Sequence, residues 1–317
     1  MIKLAIFLLL FLSGCRIREI EDYAIISGVG LEYKNEEYNL HIEVLKSKGS
    51  STSINSEFYQ SKGKSINEAF FNVNYLMKEI PLYSHCGIIL LDQGLKREDI
   101  LNVFKYLVHD NDFRLSIIPV IALSPIEEIL KENDSSKYIL EMLKNNKHCI
   151  NVVNYLELYE CYDYLLYDDV SVLLPVCYYD EALKFDGGVL LNDFEIKEFY
   201  EKDEINTIKI LNNKLSKGNF NLGGYDFYII NISSKLKLEK NKASFKIDAC
   251  INSNTTVLEE EIIKEVFLDY LLKNELKIRE KNYDPFYLNL LCYRKSLELN
   301  RNYEIKIKLD VLIKKGA

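Results

Sequence analysis

Seven cysteines and four histidines carry most of the reactive chemistry in this 317-residue sequence. Cys15 stands directly after Leu12-Ser13-Gly14, at the end of a run of apolar residues. A thiol there is a nucleophile for thioether formation, and small neighbours leave it open to an enzyme. The other cysteines are Cys86, Cys149, Cys161, Cys177, Cys250 and Cys292. An even number outside the cytoplasm is compatible with disulfides, but no C-x-x-C occurs and the spacing is irregular. Most sit in apolar segments, so buried reduced thiols acting as small hydrophobes are expected. His85-Cys86 and His148-Cys149 are adjacent pairs. Neighbours in a strand point to opposite faces and do not chelate together, so no metal site is expected. Asp163, Asp168 and Asp169 form an acidic cluster among tyrosines. Two carboxylates can serve as acid and base, but nothing else in the sequence completes such a site. There is no G-x-S-x-G, phosphate loop or H-E-x-x-H. Gly28-Val29-Gly30 lacks the third glycine of a dinucleotide site and predicts a bulge or a close backbone approach in a strand. No catalytic residue and no cofactor are expected.

The segment around Cys15 has its own physics. Lys3 precedes the nine apolar residues Leu4 to Leu12. At about 1.5 Å per residue, such a helix covers about half of a ~30 Å hydrocarbon core. It is too short to span and has the length of a signal-peptide core. Its end, Leu12-Ser13-Gly14-Cys15, resembles the bacterial lipobox. That resemblance implies peptidase recognition through Leu12, Ser13 and Gly14, and a diacylglyceryl group on Cys15, which becomes the first residue after cleavage. One acyl chain holds a protein weakly, whereas two anchor it stably, so palmitate-type acylation is expected as well. Arg16, Arg18, Glu19, Glu21 and Asp22 follow at once. Held close to the bilayer, Arg18, Glu19, Glu21 and Asp22 are candidate docking residues for membrane partners. No later apolar run reaches the ~20 residues of a spanning helix.

Positioning elements follow from hydrophobic period and punctuation. Ala24–Tyr33 and Tyr38–Val44 read as a strand pair around the turn Lys34-Asn35-Glu36-Glu37, with the polar side of the second strand outward. Gly49–Ser53 reads as a loop. Ser65-Ile66-Asn67-Glu68 is a capping box that opens a helix running to about Ile80, before Pro81. Cys86–Leu91 and Leu115–Leu123 are short buried strands, with a helix over Asp99–His109 between them. Ser124-Pro125-Ile126-Glu127 starts another helix, and two more are expected near Lys137–Lys144 and Val152–Tyr162. Strand character returns over Val170–Tyr179. Asp186-Gly187-Gly188 marks a turn and a boundary.

Beyond it, a small hairpin at Val189–Phe199 leads to a helix at Asp203–Asn212. Strands are expected at Tyr225–Ile232, Ser234–Glu239 and Ala243–Ile251. Thr256–Glu259 caps a long helix to about Lys281, and a further helix follows. Alternation over Tyr303–Val311 predicts a closing antiparallel-type strand with one wet face. The expected fold class is α+β: several mixed or antiparallel sheets carrying helices. Its divisions are a signal peptide (1–14), a lipidated tether (15–22), an N-terminal α/β region (23–184) and a C-terminal α+β region (185–317).

In order, several landmarks resemble the C-subunit lipoproteins of spore germinant receptors, the GerAC-like family. They are Cys15, Arg18 to Asp22, Gly28-Val29-Gly30, Ser84-His85-Cys86, His109 to Arg114, Glu127 to Leu130, Gly187-Gly188-Val189, the helix from Glu201 to Lys209, and the ending Tyr303 to Gly316. The sequence departs from the family at Arg16-Ile17, where Trp-Asp is usual. The resemblance implies three small α/β modules and a non-enzymatic role in spore germination. It implies a location on the outer face of the spore's inner membrane, beside polytopic A-type and B-type subunits. Any contact with a small-molecule germinant would be indirect. The formal charge of −8 and the absence of a basic stripe argue against nucleic acid. A solute-binding lipoprotein of a transporter is the alternative.

Overall fold

The computed structural model describes residues 22–47, 54–131, 134–145, 150–167, 169–239, 242–253, 257–294 and 304–315. Their architecture is α+β, with two sheets and helices layered on them.

The larger sheet has ten strands. In chain order they are β1 (Tyr23–Lys34), β2 (Glu37–Ser47), β3 (Ile54–Gly63), β4 (Ile80–Leu82), β5 (Ile88–Asp92), β6 (Ile118–Ala122), β7 (Ser171–Asp180), β8 (Ala182–Lys184), β9 (Gly188–Asn192) and β10 (Glu195–Tyr200). The spatial order is β10-β9-β7-β6-β5-β1-β2-β3, with β4 beside β1 and β8 beside β7. Its centre, β1-β5-β6-β7, is parallel, and both outer flanks are antiparallel. The parallel strands are buried on both faces, which is why they read as continuous apolar runs.

Helices cover those faces. On one lie α1 (Ile66–Val73), α2 (Arg97–His109) and α5 (Leu158–Leu165), packed on Ile89, Leu91, Val172 and Leu174. On the other lie α3 (Ile126–Leu130) and α4 (Ser135–Asn145), packed on Ile88, Leu90 and Val120. Gly28 and Gly30 make this second layer fit. An added Cβ would stand 2.0 Å from Ser136 Oγ at Gly28 and 2.3 Å from Ile126 Cγ2 at Gly30. The bulge expected there is present as well, between Ile26 and Gly28.

The smaller sheet is β11-β12-β13-β14, formed by Gly218–Leu222, Tyr225–Glu239, Lys242–Ser253 and Glu304–Lys315. One face packs on α7 (Val257–Glu280) through Phe227, Phe245, Ile247, Ile263 and Phe267. After α7 comes the short helix α8 (Leu288–Arg294). Between the two sheets lies α6 (Lys202–Leu211), whose Ile205 and Ile208 share a core with Leu173 and Leu190 of the large sheet and with the small sheet. Among the described residues no helix is long and apolar enough to cross a membrane.

Four expectations change. First, α1 stops at Val73, not near Ile80. Asn74 caps it, donating from Nδ2 to Phe71 O at 3.1 Å, and a short polar amide competes well for such termini. Second, α5 starts at Leu158, where Glu157 and Glu160 form the capping box. The preceding backbone is committed elsewhere, since Val152 bridges to Gly187. Third, β12 is one strand with a bulge at Ile229–Asn231, not two. Fourth, β14 pairs parallel to β13. The alternation reported one wet face, with Lys306, Lys308 and Asp310 exposed. Direction came from the connection, because the intervening helices carry the chain back to the same end of the sheet.

Candidate functional site

The residues proposed for anchoring, Leu12, Ser13, Gly14 and Cys15, lie outside the described residues, as do Arg18, Glu19 and Glu21. Asp22 is described; it is exposed and immediately precedes β1. The first strand therefore begins at one defined end of the large sheet. There Tyr23 pairs with Ile80 and Ala24 with Pro81. At the same end Lys46 of β2 holds Glu79 at 2.9 Å and Glu57 at 3.7 Å.

The cysteines are scattered. Cys86, Cys161, Cys177 and Cys292 are buried, Cys250 is half-buried, and none of these five is bonded to another. Burial pushes the Cys86 and Cys177 thiols up to about 12 and the Cys161 thiol well above its ordinary range. Such thiols hold almost no thiolate at neutral pH. His85 is exposed while Cys86 is buried, so that pair points apart. His148, Cys149 and Asp168 lie outside the described residues; Asp163 and Asp169 face solvent. Among the described residues no group of three or more His, Cys, Asp or Glu is placed to hold a metal.

His41 and Glu43, on the side of the second strand expected to face outward, are instead buried beside Glu32. Glu32, His41 and Glu43 lie on the face of β1 and β2 that α3 and α4 cover. Glu43 Oε2 accepts from Ser136 N at 2.8 Å and Ser135 Oγ at 3.4 Å. Glu32 Oε1 accepts from Ile126 N at 3.4 Å. Each carboxylate thus meets unpaired amides, and the positive dipole end, at the start of a helix. His41 Nε2 is 3.7 Å from Glu32 Oε2. Burial pushes the imidazole below its ordinary range, opposed mainly by Glu32. The two carboxylates tie α3 and α4 to the sheet. The sequence signal was present in two acids and a histidine within strands, but their partners lie over 90 residues away.

The seam between the sheets is the other distinctive place. Every residue of α6 from Glu204 to Leu211 is buried, including Glu204, Asn206, Thr207 and Lys209. Buried polar groups need partners, and these have them. Glu204 meets Lys281 at 2.8 Å, and Asn206 exchanges two hydrogen bonds with Asn151. Lys209 Nζ donates to Val152 O at 2.6 Å. Beside this seam a cleft of about 500 Å³ opens among α5, α6 and α8, lined by Asn154, Glu157, Lys209, Lys214, Tyr287 and Arg294. Asn154 buries both amide atoms with no hydrogen-bond partner among the described residues.

Comparison with known proteins follows the same outline. The family model described as the spore germination protein N-terminal domain matches residues 16–177. No curated protein sequence matches the chain. The solved structure of the GerBC protein is similar in fold, with a TM-score of 0.55 at 18% identity, covering 91% of this chain and 96% of that one.

Proposed function

The chain belongs to the GerAC-like family of spore germination proteins, and on that premise we propose that it is the lipid-anchored, non-enzymatic C subunit of a nutrient germinant receptor. The observation that carries this reading is one of position. The matched domain begins at residue 16, directly after the Cys15 at which the lipobox-like pattern ends. A signal peptide cut before Cys15 would leave a mature chain that is domain from its first residues onward. In this reading the lipid fixes the sheets on the outer face of the spore's inner membrane. Their surfaces, with Arg18, Glu19, Glu21 and Asp22 near the bilayer, dock polytopic A-type and B-type subunits. The protein assembles or transmits a germinant-induced state and carries out no chemistry. The germinant is met only indirectly.

Cys15→Ala tests the anchor. The variant is expected to stay unprocessed, to leave the spore membrane fraction, and to abolish the response to at least one nutrient germinant. Normal germination with the variant still in membranes would overturn the reading.

The cleft beside α6 favours one second reading, a solute-binding lipoprotein of a transporter. A tight ligand stabilises the native state by RT ln(1 + [L]/Kd). A thermal shift of the full chain with a small metabolite, together with an unchanged germination response in a gene deletion, would replace the first reading with this one.

A further inference from the structure

The stretch from Phe71 in α1 to Ile80 at the start of β4 exposes four large apolar side chains. Tyr75 is 75% exposed, Phe71 57%, Leu76 47% and Ile80 41%. Phe71 and Tyr75 touch edge to face, with ring centroids 5.5 Å apart. Ile80 is the register partner of Tyr23, so the patch adjoins the entry point of the N-terminal segment. Lys78, between them, is exposed.

Resting on the anchored reading above, we propose that this patch is a membrane-docking face whose occupant is the lipid interface itself. Tether length argues for it. Cys15 and Tyr23 are eight residues apart, which spans at most about 29 Å when fully extended. The end of the sheet bearing Tyr23 and Ile80 is therefore confined near the bilayer. Composition argues for it too. Tyrosine favours the water–lipid boundary because its ring is apolar and its hydroxyl polar. Lysine reaches the headgroups through its stem. The opposite end of β1 is a polar turn, with Lys34, Asn35 and Glu36 exposed and Glu37 following. Ten residues at about 3.3 Å place Tyr33 roughly 33 Å further along the strand. A patch this small need not bind a membrane alone, since the anchor makes docking an intramolecular event at high effective concentration.

The absence of tryptophan supplies the test. Tyr75→Trp introduces a sole tryptophan at an exposed site, and Tyr33→Trp is its control at the far end. Each variant, expressed from the full-length sequence and extracted from membranes, is reconstituted into vesicles of phosphatidylglycerol and phosphatidylcholine with brominated acyl chains. An interfacial side chain sits about 5–10 Å into the headgroup and acyl boundary. Indole emission from the Tyr75→Trp variant is expected to blue-shift, and to be quenched severalfold more than emission from the Tyr33→Trp variant. Equal, weak quenching at both positions in protein that co-floats with the vesicles would overturn the docking face while leaving the anchor intact. Failure to co-float would overturn the anchor and the face together.

Discussion

Lys281→Met is expected to destabilise the protein by about 3 kcal/mol, because it leaves a buried carboxylate without its cation. The ammonium of Lys281 stands 2.8 and 2.9 Å from the two oxygens of Glu204. It also donates to Phe199 O at 2.7 Å and lies 4.2 Å from the centroid of the Tyr200 ring. The Glu204 side chain is only 4% exposed. Methionine preserves most of the stem, so the loss is electrostatic and not a cavity. The Lys281 side chain keeps 21% exposure, which places the cost toward the low end of the range for a broken buried pair. In a chain of this size, about 2–4 °C per kcal/mol makes the fall in Tm roughly 6–12 °C.

The partner variant isolates the cause. Glu204→Gln removes the charge but keeps an oxygen to accept from Glu201 N, a contact of 2.8 Å at the start of α6. Combined with Lys281→Met, it should recover much of the loss, giving a favourable coupling in the double-mutant cycle. A single variant within about 0.5 kcal/mol of the parent, the size of an ordinary surface substitution, would show that the pair does not hold the seam. Urea unfolding of the four proteins measures all of this. The pair joins α6 to the end of α7, so it is one of the ties between the large sheet and the small one.

What the sequence disclosed and what it withheld have distinct physical causes. The β1–β2 pair was legible because Leu40, Ile42 and Val44 alternate on one face, and the buried strands β5 and β6 because their apolar runs are short and uninterrupted. The strand β3 was missed. Ile54–Gly63 is polar and half-exposed at the sheet edge, and only its ladder with β2 makes it a strand. Serine marked a helix start at Ser65, whose Oγ accepts from Glu68 N, but not at Ser124, whose hydroxyl exchanges hydrogen bonds with the backbone of Tyr179 instead of capping α3; Thr256 lies outside the described residues. Glutamate in the capping position, as at Glu157 and Glu201, is a weaker signal. The candidate site divides similarly. The glycines of β1 were readable because their signal is local; the Leu12 to Cys15 pattern is local too, but lies outside the described residues. The Glu32-His41-Glu43 group and the polar ties of α6 are formed by residues distant in the chain. They gain meaning only once the layers are stacked.

Gly28→Ala is expected to cost about 2 kcal/mol, within the range for overpacking a filled core. An ideal Cβ at this position would lie 2.0 Å from Ser136 Oγ, 2.6 Å from Ser136 Cβ and 3.2 Å from Ile88 Cγ1. Rotating the serine hydroxyl relieves the first contact but not the second, so α4 itself has to move off the sheet. That movement pulls Ser136 N away from Glu43 Oε2, now 2.8 Å apart. A fully buried carboxylate then loses its shortest donor, which adds to the steric cost. Ser136→Gly supplies the discriminating measurement, since it deletes both clashing atoms and keeps the amide that Glu43 binds. Ser136 is only the second residue of α4, so glycine there costs less than the ~1 kcal/mol of a helix interior. Gly28→Ala/Ser136→Gly is therefore expected to unfold at a higher urea concentration than Gly28→Ala alone. If the double variant is instead the less stable of the two, the glycine serves the bulge beside it and not the close approach of the helix.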